Sequence, residues 1–507
     1  MAAHCDLPSQ KKGENRRMED NGEVKMQSNQ TESNGKVKLK LNVKKTITVG
    51  LAFMAICMFW QVYDNLMPLM LRELGFKETL RGVVMCLDNV LALVLLPFMG
   101  QWSDNLTGKI RNKFGRRMPF IVVGSILAAF CFLLVNFSYN MAKGETVNSG
   151  WLAIMMVTTA FLLIAMSLYR TPAVALMPDV TPKEIRSQGN TIINIMGTIG
   201  GVIPTLLMSF NVFLTTYEVE ENGETVKHLS GNNWLLVGVI SALMILATVV
   251  LILKVNENKM VEEKRKLLES LGVSEDVETD IKKEKISIRE GFAMLDKGQR
   301  KSLLFILLSV SLWYFAYNGV TSHFSAFALD VLKLDKFSTA LLVGQASAFI
   351  FYIPASKLGE KIGRKKTIML GVTLMILGFG LGSVLIFTVK NLNFLKYVMY
   401  PVFVLVGAGW ATINVHSFVM SVEMATEKTT GVFTGLYYSF SMAAQIVTPI
   451  LAGFIMEKID PRSLLVYATV FSALALITMS CVKHGNAGDT VRKIDVTDNP
   501  VAYERDE

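Results

Sequence analysis

The sequence predicts an all-α membrane protein, with twelve transmembrane helices in two pseudosymmetric six-helix bundles. Three observations carry that reading. The 507 residues are 51% hydrophobic and only 18% charged, with a mean hydropathy of +0.40, whereas a soluble chain carries about 25% charge. The apolar residues fall into twelve runs close to the ~20 residues needed to cross a hydrocarbon core about 30 Å thick. A charged loop after run two, Pro97–Asn105 followed by Gly115–Phe120, has a weaker copy after run eight, Pro354–Lys366.

Taken in order, residues 1–45 form a polar stretch with ten Lys/Arg and six acids. No apolar segment follows a short basic start, so it is expected to be a disordered cytoplasmic tail, not a signal peptide. The first bundle (residues 46–255) holds spans Thr46–Leu71, Leu80–Trp102, Pro119–Phe137, Trp151–Met177, Asn190–Phe213 and Trp234–Leu253. A linker over residues 256–301 follows. Glu262 and Lys266 lie four apart there, and Ser287-Ile288-Arg289-Glu290 reads as a capping box before Phe292, Met294 and Leu295. That pattern predicts a short amphipathic helix at the inner membrane surface. The second bundle (302–482) holds Ser302–Phe327, Ser338–Leu358, Thr367–Val389, Tyr397–Val422, Gly431–Met456 and Leu464–Val482, and residues 483–507 form a second polar tail.

The net charge of +9 does not point to nucleic acid, because the basic residues sit between apolar runs. Loops after the even spans carry Lys109, Arg111, Lys113, Arg116, Arg117, Lys183, Arg186, Lys357, Lys361, Arg364, Lys365 and Lys366. By the positive-inside rule those loops, and both termini, are expected in the cytoplasm. Arg72, Lys77 and Arg81 in the first loop run against the rule. The acidic outer loop, Leu214–Asn233, is expected to lack regular structure. Cys5, Cys57, Cys86, Cys131 and Cys481 show no disulfide or metal spacing, and small apolar packing explains them. No metal site and no cofactor are expected.

The halves also match where spans four and ten end, in Met177-Pro178-Asp179 and Ser421-Val422-Glu423. Two like halves of six helices suit a transporter with its site between them. Gly100-x-x-Ser103-Asp104 followed by Gly115-Arg116-Arg117 resembles the loop signature of the major facilitator superfamily, and the resemblance covers residues 46–482. The longer loop closing in Gly-Arg-Arg-Met-Pro-Phe, with Tyr169–Asp179 at the end of span four, is similar to the sucrose-transporter-like branch. That branch belongs with the glycoside–pentoside–hexuronide cation symporters. The resemblance implies a transporter of a sugar or glycoside coupled to a cation, with H⁺ expected and Na⁺ the alternative. The chain departs from the pattern in three places. Asn105 stands where the sucrose branch has Arg, and Arg170 and Asp179 are nine residues apart. Leu96 precedes Pro97 where melibiose-type relatives carry a cation-binding carboxylate.

A cytoplasmic gate is expected from Asp104, Arg116, Arg117, Asp179, Glu360, Arg364 and Glu423. Helix N-termini carry unpaired N–H groups and partial positive charge. Asp104 is therefore expected against the start of span eleven, near Thr429–Gly431, and Glu360 against the start of span five. Asp179 and Glu423 are expected to meet Arg116/Arg117 and Arg364/Lys365.

Ionisable groups inside spans are costly and usually functional. Gln61, Asp64 and Asn65 share a helical face, Asp88 and Asn89 lie in span two, and Arg170 lies in span four. An Arg with two carboxylates can bind sugar hydroxyls and couple that binding to a proton; a structural Arg–Asp ion pair is the competing explanation. Asn190 and Asn194 share one face of span five. Tyr314, Tyr317 and Asn318 line span seven, joined by Gln345 and Asn414. His323 and His416 suit hydrogen-bonded structure as well as proton transfer.

No GxxxxGK[ST] loop, catalytic triad or metal cluster occurs, so the chain reads as a non-enzyme powered by an ion gradient. Other readings are a transporter of another small organic solute, including drug efflux or lysolipid uptake, and a non-transporting membrane sensor. A small-molecule substrate, the lipid bilayer, no nucleic acid, a multi-pass setting in the cell membrane and action as a monomer complete the expectation.

Overall fold

The computed structural model describes residues 41–144, 146–182, 185–221, 224–229, 233–270, 288–334, 336–423 and 429–485. Most of the expected N-terminal tail, Ser287 of the expected capping box and the tail beyond residue 485 lie outside the described residues.

Among the described residues, twelve helices are long and apolar enough to cross a membrane. In the first half they are α1 (Val43–Glu73), α2 (Glu78–Asp104), α4 (Met118–Ala142), α5 (Ser149–Val180), α6 (Arg186–Met208) and α7 (Asn233–Lys254). In the second they are α10 (Lys297–Asp330), α11 (Phe337–Ile362), α12 (Arg364–Thr388), α13 (Leu392–Val422), α14 (Thr430–Lys458) and α15 (Ser463–Ser480). Three shorter helices lie outside the spans: α3 (Lys109–Phe114), α8 (Glu257–Ser270) and α9 (Ile288–Ala293). Every span begins and ends within a few residues of its apolar run, because run length and helix rise are set by the same bilayer thickness.

Local sequence repeats the pseudosymmetry. The fourth spans of the two halves start alike: Asn148 accepts from the N–H groups of Gly150 and Trp151, and Asn391 from those of Asn393 and Phe394. Each Asn satisfies helix-end donors that would otherwise be unpaired. Within the first half, α1 packs on α6 and α7, and α4 on α5; within the second, α10 packs on α14 and α15, and α12 on α13.

The loop between α6 and α7 corrects the expectation of irregular structure. It is an antiparallel hairpin, β1 (Thr216–Glu221) with β2 (Glu224–Leu229), in the register Thr216↔Leu229. Tyr217 and Val219 alternate with Glu218 and Glu220, a period-two pattern that the high acid content concealed. Tyr217 stacks on its cross-strand partner His228 with ring centres 5.7 Å apart.

The hairpin marks one end of the molecule, and the two charged loops mark the other, called here the signature end. The halves join at the hairpin end. Arg72 of α1 pairs with Asp330 of α10 at 2.5 Å, Ser209 bonds Ser338 at 3.1 Å, and the hairpin's Lys227 reaches the Lys333 carbonyl at 3.3 Å. Helices α2 and α14 touch backbone to backbone. A Cβ on Gly82 would lie 2.1 Å from the Pro449 carbonyl oxygen, and one on Gly453 would lie 2.4 Å from that of Glu78. The Glu457 carboxylate of α14 interacts with the backbone of Thr79, in the first turn of α2. The positive-inside exceptions are explained here. Arg72 also binds Glu73 and the Lys227 carbonyl, Arg81 is buried against Glu78 at 2.7 Å, and Lys77 lies 3.9 Å from Glu457. Paired cations no longer act as free charges in the topology balance.

Candidate functional site: a central cavity beside a charged cluster

A cavity of about 440 Å³ lies between the halves, within the range of small-molecule sites. From the first half, α1 contributes Gln61, Asp64 and Asn65 and α6 contributes Thr198. From the second, α10 contributes Tyr317 and Asn318, α11 contributes Gln345 and Tyr352, and α13 contributes Trp410. The spacing of three and one puts the α1 trio on one face. Asn65 Nδ2 is satisfied by the Gln61 carbonyl at 2.8 Å, whereas Asp64 opens to the cavity. Asn318 Nδ2 and Gln345 Oε1 are buried polar atoms without a protein partner among the described residues, and such atoms favour a ligand that completes their bonds.

The aromatic wall is built around Trp410. Tyr317 stacks flat on it, with ring centres 3.7 Å apart and planes at 4°, and Tyr314 meets it edge-on at 5.6 Å. Trp410 lines the cavity, a position the sequence did not single out. Its signal was present, because it lies one turn before Asn414 on the same face of span ten, after Gly407-Ala408-Gly409. Tyr314 itself sits behind the wall, hydrogen-bonded to Tyr437, which in turn meets the Ser417 hydroxyl at 3.0 Å.

Asp88 and Arg170 lie outside the cavity lining, beside it. Each interacts electrostatically with the other and with Asp64. Asn89 donates to Asp88 Oδ1 at 2.8 Å. Among the described residues Arg170 has no hydrogen bond or ion pair, so no structural Arg–Asp pair forms. Asp64 therefore belongs to both the cavity and the charged cluster. Asn190 and Asn194 also lie outside the lining; they continue the Thr198 face of α6 toward the signature end.

Two histidines and one amide have structural partners. His323 Nε2 lies 2.9 Å from the Pro449 carbonyl and ties α10 to α14. His416 Nε2 lies 2.9 Å from the Ala355 carbonyl and its ring covers Gly359 on α11. Asn414 Nδ2 donates to the Trp410 carbonyl at 3.2 Å.

At the signature end each charged cluster is built within its own half. Arg116 and Arg117 meet Asp179 at 2.9 and 2.8 Å, and Arg117 meets Asp104 at 2.5 Å and the Ser103 hydroxyl. Arg364 binds Glu423. In this conformation Asp104 does not hold the start of span eleven: it stays with the two arginines of its own loop, half-exposed. A carboxylate from one half does lie beside a helix start in the other, but at the hairpin end, where Glu457 interacts with the backbone of Thr79. The Glu360 side chain lies outside the described residues.

Glu257, unmarked in the sequence, completes the first cluster. Its carboxylate accepts from the backbone N–H groups of Arg116, Arg117 and Met118 at 2.9–3.1 Å, capping α4 from the first residue of α8. Burial pushes its carboxyl above the ordinary range, while the three N–H donors pull it down. Gly115 is required beside it. Its φ is +93°, and a Cβ there would lie 2.4 Å from Glu257 Oε2.

The family model described as Major Facilitator Superfamily matches residues 49–449 and 345–500. This chain belongs to that superfamily. It is a transporter, not an enzyme, with twelve membrane-spanning helices in two pseudosymmetric bundles. It is similar to a sucrose transport protein of Arabidopsis thaliana, 25% identical over 172 residues, which are 31% of this chain and 27% of that protein. It is similar to proton-associated sugar transporter A of Mus musculus, 30% identical over 135 residues, 26% of this chain and 17% of that protein. The matched stretches thus span about a quarter or less of those relatives. Among solved structures, the inward-open xylose transporter of E. coli shares the superfamily's fold with a TM-score of 0.60 and 13% identity, covering 89% of this chain and 97% of that one. A bacterial homologue of the iron transporter ferroportin, in an inward-facing state, gives a TM-score of 0.62 at 13% identity, covering 87% and 99%.

Proposed function

We propose that this transporter moves a sugar or glycoside together with a proton by alternating access. One juxtaposition carries the reading: Asp64 lines a cavity walled by the Tyr317–Trp410 stack and amides, and also belongs to the Asp88–Arg170 cluster. Aromatic faces pack against sugar rings, and the amides and Asp64 complement hydroxyls. A carboxyl shared by the cavity and a charged cluster couples substrate binding to protonation, because each changes the field at the other. The sugar-transporting relatives support this substrate class.

In this reading the signature end and both termini face the cytoplasm, the protein is a monomer in the cell membrane, and the conformation is inward-open. The hairpin-end seam supports that state, because the inter-half contacts named above lie there. The signature clusters then form the gate that closes when the hairpin end opens.

Counterflow in proteoliposomes with a panel of mono- and disaccharides, with and without a pH or Na⁺ gradient, tests the proposal. Sugar counterflow accelerated by a pH gradient supports it. Asp64→Asn should abolish gradient-driven accumulation while counterflow persists. Absence of sugar counterflow alongside efflux of cationic dyes would point to a different organic solute.

A further inference from the structure

The ten residues Asn105–Phe114, inserted within the loop signature, take no part in the site or in the gate clusters. They contain Lys109, Arg111 and Lys113 and no acid. Helix α3 buries none of its residues. Its backbone is nevertheless held in place. Gly108 and Gly115 turn the chain at either end with φ of +82° and +93°, and Asn258 of α8 donates to the carbonyls of both Arg111 and Asn112 at 3.0 Å. The side chains therefore project outward from a fixed frame. Among the described residues, none of the three cations has an ion-pair partner.

The apolar side chains of the same helix also project outward. Ile110 and Phe114 are four apart, on one face, and are 54% and 50% exposed. Lys113 Nζ lies 5.1 Å from the Phe114 ring centre. Trp102, 59% exposed in the last turn of α2, packs edge-on against Phe120 at 5.2 Å. It marks the depth at which tryptophan settles in a bilayer, the polar–apolar boundary. The insertion joins the ends of two spans, so its apolar face and the cations that flank it on either side meet the membrane surface together.

We propose that α3 is a binding surface for anionic phospholipid: Lys109, Arg111 and Lys113 take the headgroups, while Ile110 and Phe114 enter the acyl boundary. Charge complementarity selects this occupant, since three free cations beside an apolar pair match an anionic headgroup on its own chains. A lipid held here touches the loop that carries Arg116 and Arg117, so leaflet composition reaches the signature cluster through a pinned backbone.

The test is native mass spectrometry of the full chain in detergent, titrated with dioleoylphosphatidylserine or dioleoylphosphatidylcholine. Each cation near an anionic surface is worth about fivefold in affinity. The triple variant Lys109→Gln, Arg111→Gln, Lys113→Gln should therefore bind phosphatidylserine on the order of 100-fold more weakly, with phosphatidylcholine binding unchanged. Lys109→Arg with Lys113→Arg should retain wild-type affinity, as should Lys390→Gln, an exposed lysine at the hairpin end. Ile110→Ser with Phe114→Ser should also weaken phosphatidylserine binding; unchanged binding would assign the site to soluble anions and overturn the proposal. Phosphatidylserine affinity of the triple variant within twofold of wild type, or equal loss of both lipids, would overturn it too.

Discussion

The two ends of the molecule both carry charges but use them differently. At the hairpin end, charges and backbone join the halves: Arg72 to Asp330, Glu457 to the first turn of α2, and Gly82 and Gly453 at the α2–α14 seam. At the signature end, Arg116, Arg117, Asp104 and Asp179 close on one another inside the first half, and Arg364 and Glu423 inside the second. The pairs of half-exposed Asp104 contribute little, about 0–1 kcal/mol each. Backbone contact along a helix seam, by contrast, tolerates no added volume. The hairpin-end seam is set by shape, and the signature end by charge.

Four measurements bear on that contrast. The largest effect is expected from Gly82→Leu or Gly453→Leu, since overpacking costs about 1–3 kcal/mol, or roughly 5- to 150-fold in a two-state balance. Uptake should collapse, and a cysteine placed at the hairpin end should label faster; unchanged labelling would remove the seam's role. Next, Asp179→Asn should cost about 1–3 kcal/mol, because a largely buried carboxylate loses two guanidinium partners. Asp104→Asn, at a half-exposed site, should cost less than about 1 kcal/mol. Thermal unfolding of both variants in detergent compares them, and a reversed order would break the account of the cluster.

Asp330→Asn removes the cross-half partner of Arg72 while leaving Glu73 in place. It should shift the balance away from hairpin-end closure by about 1 kcal/mol, roughly fivefold, read by the same labelling. The smallest effect is a pH dependence at Glu257. Its raised folded value favours the protonated acid, so its contribution is full below the ordinary glutamate range and is lost as pH rises through the raised value. The stability of the native protein relative to Glu257→Gln should therefore fall as pH rises through that window. A flat difference would show that the three N–H donors offset burial.

Legibility differed among the cavity residues for physical reasons. Gln61, Asp64 and Asn65 line the cavity together because helical spacing alone puts them on one face. Tyr317, Asn318 and Gln345 were found because polar groups in spans are rare. Trp410 was missed because an apolar aromatic in a span is ordinary until its neighbours are known. His323 and His416 were ambiguous because a carbonyl partner on another helix, Pro449 or Ala355, leaves no trace in local sequence.

Sequence alone determined the spans, their pairing into two halves and the charged loops, since bilayer thickness and repetition act along the chain. Tertiary structure decided which carboxylate meets which helix start. Asp104 and Glu457 are equally suited to capping, because both are carboxylates at span ends. Only the docking of α2 against α14 puts Glu457 within reach of Thr79 and leaves Asp104 with its own arginines. The cap formed by Glu257 likewise requires the chain to return after six spans, a closure that no local pattern encodes.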